Sequence, residues 1–212
     1  MSTALDIHSL ITSHTALPTP LPPLTLDSDE RTPLHTASTS KNLAALTVLS
    51  PLTRTLADPE DWTPIHICAS NGFIEGLAVL LRNHPTHVND QTESGQSALH
   101  FAVSKGWNEI VVALLDAGAD PNLPDKYGMT SIHRAVHRSR YDILNILVDS
   151  GGNINAADKE GATPLMGAAE EGDEQMVRAL LEKGADVGRV DKSGRRAVDV
   201  AAASVKRLVS VE

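Results

Sequence analysis

One four-residue phrase recurs at a nearly fixed interval, and that interval restricts the fold more than any other property of the chain. It reads Thr32-Pro33-Leu34-His35, Thr63-Pro64-Ile65-His66, Ser97-Ala98-Leu99-His100, Thr130-Ser131-Ile132-His133 and Thr163-Pro164-Leu165-Met166. A decayed sixth copy stands at Arg196-Ala197-Val198-Asp199, and the first residues of the copies are 31, 34, 33, 33 and 33 apart. A period in this range marks a stacked repeat protein, in which each unit packs only on its neighbours.

The residues at each position explain the local structure. Thr32, Thr63, Ser97, Thr130 and Thr163 suit a helix N-cap, where a hydroxyl accepts from orphan backbone N–H groups. Pro33, Pro64 and Pro164 suit the first helical position, where no N–H is needed. Small residues follow at Ala37, Cys68, Ala102, Ala135 and Ala168, which lets neighbouring helices approach closely. A second helix follows in each unit. Ile110, Val111, Leu114 and Leu115 form one apolar face, and Ile143, Leu144, Leu147, Val148 and Met176, Val177, Leu180, Leu181 repeat it. Gly118, Gly151 and Gly184 end these helices at C′. Before each cap lies a turn marked by Asp125, Asp158 and Asp191 with Gly95, Gly128, Gly161 and Gly194, residues that favour an Asx turn and positive φ.

The ends depart from the pattern. Asp6 to Thr15 reads as a short helix, the remnant of an N-terminal repeat whose first helix is missing. Pro18, Pro20, Pro22 and Pro23 then impose an extended segment; Pro20-x-x-Pro23 matches an SH3-type ligand, but a stiff linker is the favoured reading. Val205–Val209 reads as a polar-backed capping helix of the kind a solenoid needs for solubility.

Composition narrows the function. Hydrophobic residues make up 41% and aromatics only 3%, so the core is expected to be thin layers of Ala, Leu, Val and Ile. The net charge of −9 disfavours a nucleic-acid backbone as partner and favours a protein with basic patches. Cys68 is the only cysteine, which excludes an internal disulfide and suggests a reducing compartment. With no signal peptide and no apolar run of membrane length, the expected location is cytoplasmic and nuclear, without membrane contact.

The chemical readings are weak. His35, His66, His100 and His133 share one repeat position, so stacking holds them roughly 10 Å apart, whereas zinc needs nitrogens at about 2 Å. Each is expected to bond local backbone and tie one turn to the next. His84, His87 and His137 lack a companion at ligand spacing, and Cys68 occupies a small buried position, so it reads as an inert core thiol. Gly151-Gly152 lacks the rest of a phosphate loop. Glu170, Glu171, Asp173 and Glu174 read as a solvated or partner-facing edge rather than an acid/base pair. No catalytic residue, metal site or cofactor is assigned, and the chain is expected not to be an enzyme.

The phrase, its period and its glycines resemble those of ankyrin-repeat proteins. The resemblance implies an all-α solenoid of helix-turn-helix repeats with β-turn or hairpin loops, about six repeats including degenerate caps. A capping helix and Pro-rich linker would cover 1–26. The repeats would cover about 27–57, 58–91, 92–124, 125–157, 158–190 and 191–212. In such proteins the turn tips and the outward residues of the first helices form a concave binding surface. The column before each cap reads Arg31, Trp62, Gln96, Met129, Ala162 and Arg195. The column after the His position reads Thr36, Ile67, Phe101, Arg134 and Gly167; one turn further lie Ser40, Asn71, Lys105, Arg138 and Glu171. Trp62, Ile67, Phe101 and Met129 are therefore expected to form an exposed apolar stripe, a candidate binding hot spot. Lys105, Arg134 and Arg138 would make a basic stretch, followed by acidic Glu170 and Glu171.

A closer resemblance is carried by Trp62–Ser70, His100–Lys105, Asp125–Tyr127, Ile132–Ala135 and Val205–Val209. These segments are similar to those of the gankyrin-type family of proteasome-assembly chaperones. The resemblance implies a monomer that binds the helical C-terminal domain of a base ATPase subunit of the 19S regulatory particle. Such a chaperone hinders premature docking on the 20S cylinder. It also implies that Arg31 and Lys105 meet partner carboxylates, and that Asp29 and Glu171 meet partner cations. The Leu-x-Cys-x-Glu motif of animal members would fall at Gly167, Ala169 and Glu171; only the Glu is present, so that activity is not carried over. The alternative is a general ankyrin adaptor, or an inhibitor of a kinase or transcription factor, using the same surface.

Overall fold

The computed structural model describes residues 6–52 and 57–210. It is a single stack of short helix pairs, without strands among the described residues; one isolated bridge joins Gln91 and Ser97. The inner row comprises α1 (Ile7–Thr12), α2 (Pro33–Thr39), α4 (Pro64–Asn71), α6 (Ala98–Lys105), α8 (Ser131–His137), α10 (Pro164–Glu171) and α12 (Ala197–Val200), each packed on the next. The outer row comprises α3 (Leu43–Leu49), α5 (Ile74–Asn83), α7 (Asn108–Asp116), α9 (Tyr141–Asp149), α11 (Glu174–Glu182) and α13 (Lys206–Val209). A single 3₁₀ turn, Pro85–His87, follows α5.

The core is built as composition predicts, from Leu, Ile, Val and Ala, with Phe73 its one buried aromatic among the described residues. Leu34, Ile65, Leu99, Ile132 and Leu165, one per repeat, are shielded from solvent and fill the space between successive inner helices. Each such side chain contributes about 2 kcal/mol by burial.

The repeated histidine acts as part of the helix cap. In four repeats the His Nδ1 accepts the backbone N–H of the cap residue at 3.1 Å. Its Nε2 donates to a carbonyl of the next loop: Trp62 at 2.9 Å, Asp90 at 3.0 Å, Met129 at 3.1 Å and Ala162 at 3.3 Å. A carbonyl can only accept, so the proton resides on Nε2 and the imidazole is neutral. Burial opposes charging at all four and lowers their pKa values, that of His66 to about 4. The expected role as an inter-repeat tie thus holds, and in the fifth repeat Met166 replaces the imidazole with its Sδ 3.5 Å from Thr163 N.

The N-terminal reading needs correction. Helix α1 packs on α2 in the inner row, and His8 Nε2 donates to the Thr25 carbonyl, seven residues before a cap, as His66 does to Asp90. It is the outer helix, not the first one, that this end lacks. The Pro-rich segment takes its place, with Leu17 and Leu21 pressed on the core. Ile7 and Ile11 are buried and anchor α1 in the core, and the prolines deny the next segment a helix.

Turns before the caps also differ between repeats. Gly95, Gly128, Gly161 and Gly194 have φ between +74° and +82°, but the first two repeats place Glu30 (φ 58°) and Asp61 (φ 60°) there. Asn89, Asn122 and Asn155 form a ladder that the sequence reading missed despite the 33-residue spacing. Each side chain donates to the Gly carbonyl of the following repeat and accepts an N–H from it, as Asn122 does with Gly151 and Asn153.

Candidate functional site

The inner face is formed by the turn tips and by the inner helices α2, α4, α6, α8 and α10, and every candidate residue lies along it. The structure changes what several of them offer. Ile67 is buried, with 8% of its surface exposed, because α4 is flanked closely by α2 and α6. Trp62, Phe101 and Met129 are half-buried. The Trp62 and Phe101 rings lie 4.5 Å apart, and both approach His66 edge-on at 6.0 Å. The expected open apolar stripe is therefore corrected to a pre-packed, half-buried aromatic pair. A rigid pair of this kind loses little conformational entropy on binding.

The arginines of the face are mostly committed within the chain. Arg31 Nε donates to Asp58 Oδ2 at 2.9 Å, with Glu60 at 3.8 Å and Asp29 at 4.0 Å. Arg134 donates to Asp125 Oδ2 at 2.6 Å, and the Asp125 carboxylate is shielded from solvent. Arg195 holds Asp191 at 2.8 Å. These pairs brace the turns, so Arg31 and Arg134 are not the free cations that the sequence suggests. Asp29, although exposed, is drawn into the same network.

Lys105 and Arg138 behave differently. Lys105 ends α6 and Arg138 caps α8; both are exposed, and neither side chain has an ion pair or hydrogen bond among the described residues. One repeat on, Glu170 and Glu171 end α10 in the open. Glu171 Oε1 lies 2.7 Å from His137 Nδ1, a pairing that the sequence reading did not anticipate. The face thus runs from unpaired cations to carboxylates over adjacent repeats.

Between α8, α10 and α12 the face carries a recess of about 160 Å³, floored by Val136, Met166 and Val200 and rimmed by Asp158 and Glu170. It exists because the two face positions of the fifth repeat hold Ala162 and Gly167, where the fourth repeat holds Met129 and Arg134 and the third Gln96 and Phe101. The columns contain that signal, but a missing side chain is easily overlooked in a search for functional groups.

Among the described residues no cluster of three His, Cys, Asp or Glu could hold a metal ion. The Cys68 thiol is buried and pushed up to about 12, where it is protonated and inert. Among the described residues no helix is long and apolar enough to cross a membrane.

Comparison with known proteins agrees with this architecture. The family model for ankyrin repeats (three copies) matches residues 65–158 and 150–211, more than half of the chain. The ankyrin-repeat domain of Bcl-3, an IkappaB-family protein, superposes with a TM-score of 0.86 over 98% of this chain and 97% of that one, at 22% identity. Among curated proteins, the probable 26S proteasome regulatory subunit p28 of Saccharomyces cerevisiae is 35% identical over 48% of this chain and 47% of its own length. Ankyrin repeat and SOCS box protein 3 of Bos taurus is 39% identical over 32% of this chain and 13% of its own. The matched segments therefore span less than half of these relatives. What all share with this chain is the stacked helix pair and its loop, and the chain belongs to the ankyrin-repeat family.

Proposed function

We propose that the chain is a non-enzymatic assembly chaperone for the base of the 19S regulatory particle. In this reading its inner face binds the helical C-terminal domain of one base ATPase subunit, in the cytoplasm and nucleus. As an ankyrin-repeat chain it is a protein-interaction scaffold. The observation that carries the reading is the charge order of the inner face. Among the described residues the Lys105 and Arg138 side chains have no ion pair or hydrogen bond, and Glu170 and Glu171 follow in the next repeat. A helix presenting carboxylates and then cations would match this order in one register only. Charge complementarity of this kind sets register and speeds association more than it raises affinity. The likeness to the yeast proteasome subunit supports the choice of partner.

Affinity purification of the chain from its native cells tests the proposal. Base ATPases recovered with little complete 26S particle would support it. Recovery of a kinase or transcription factor without ATPases would replace it with the adaptor reading.

A further inference from the structure

The turn aspartates of the stack show what the recess is suited to hold. Each Asp uses Oδ1 to accept the N–H groups that close its turn; Asp158 accepts from Glu160 and Ala162, both at 2.8 Å. The second oxygen then needs a cation. At Asp58 it is Arg31, at Asp125 it is Arg134, and at Asp191 it is Arg195, at 2.9, 2.6 and 2.8 Å. At Asp27 the neighbouring side chain is His8, whose Nδ1 lies 4.0 Å from Oδ2. Asp158 alone among the described turn aspartates has no partner on Oδ2.

The reason is visible in the register. Arg134 stands nine residues after Asp125, and the residue nine after Asp158 is Gly167. A Cβ built at Gly167 would meet nothing closer than His137 Cε1 at 3.5 Å, an ordinary contact, so the space for a side chain is present. The recess of about 160 Å³ is that space. It is comparable to a cavity of ~150 Å³ that accommodates benzene, and so has room for the end of a long side chain.

We propose that this recess receives an arginine side chain of the bound protein, whose guanidinium pairs with Asp158 Oδ2 as Arg134 pairs with Asp125 one repeat earlier. The floor of Val136, Met166 and Val200 suits the aliphatic stem and the flat face of a guanidinium, which is more weakly hydrated than an ammonium. Exposed Glu170, with no ion pair among the described residues, supplies a second carboxylate at the recess. Arg195 also borders the recess, but Asp191 neutralises it through two contacts at 2.8 Å. The inference rests on the protein-binding reading of the inner face, not on which protein binds there.

The test is a titration of the full chain with N-acetyl-L-arginine amide, followed by amide NMR shifts. The citrulline analogue, which has the same shape without the charge, is the control. Saturable shifts at Ala162 and Gly167 are expected with the arginine compound and not with citrulline. Asp158→Asn keeps the Oδ1 acceptor of the turn and is expected to weaken binding at least tenfold. Gly167→Arg, which fills the recess from within, is expected to abolish it. Absence of shifts, equal shifts with citrulline, or unchanged binding by Asp158→Asn would overturn the assignment. No cellular partner enters this titration. Its failure would leave the proposed chaperone function standing, and failure to recover base ATPases would leave the recess assignment standing.

Discussion

The neutral imidazole inside each cap makes the stack sensitive to acid, and His66 allows the size of that effect to be worked out. Its Nδ1 faces the Thr63 N–H at 3.1 Å and its Nε2–H meets the Asp90 carbonyl at 3.0 Å. A second proton would set donor against donor at Nδ1. Burial, the largest cause, lowers its pKa from 6.5 to about 4. Because the folded value lies below the unfolded one, the unfolded chain takes up the proton first as pH falls. The stabilisation is complete above pH 6.5 and is lost progressively towards pH 4. Between pH 7.5 and 5.5 linkage gives a loss of about 1 kcal/mol from this residue, and about 3 kcal/mol by pH 4. His35, His100 and His133 shift in the same direction for the same reason. The assay is urea unfolding of the natural chain and of His66→Met at both pH values, Met being what the fifth repeat carries at this position. The variant is expected to lose about 1 kcal/mol less on acidification than the natural chain. Equal losses would refute the reasoning.

Other outcomes follow from local geometry. Gly128→Ala puts a Cβ 2.6 Å from the Lys159 N at φ 82°, and should cost about 2 kcal/mol or more in thermal or urea unfolding. Glu30→Gly relieves φ 58° and should stabilise the chain by up to about 1 kcal/mol, the strain relief exceeding the entropy of an added glycine. Asn122→Ala removes the bonds to Gly151 O and Asn153 N and should cost about 1 kcal/mol, with faster hydrogen exchange at the Asn153 amide.

Features set by local rules were legible in the sequence, and those set by side-chain choice across repeats were not. Caps, turn glycines and helix faces follow from backbone chemistry within a few residues, so Thr63 and Gly128 could be assigned from their neighbours alone. The period then supplied the stack. Ile67 was misread because its exposure depends on how closely α2 and α6 flank it, which the column pattern does not encode. Arg31 and Arg134 were read as free cations because a column pattern does not show their partners: Asp58 lies 27 residues from Arg31 and Asp125 nine from Arg134. At the N-terminus a helix was legible but its row was not, since Ile7 and Ile11 would be buried in either. Gly167 and Asp158 carried the least signal, because the feature is a side chain that is absent beside an oxygen that is unpaired.

The inner face as a charge-ordered docking surface is the central claim, and binding kinetics with purified C-terminal domains of the base ATPases test it most directly. Lys105→Glu combined with Arg138→Glu is expected to slow association with one such domain by about tenfold at low salt, the difference shrinking as salt rises. Arg82→Glu, exposed on the outer helix α5 and away from the inner face, serves as the control and should change little. Equal effects of the two substitutions, or no binding to any base ATPase domain by the natural chain, would contradict the account.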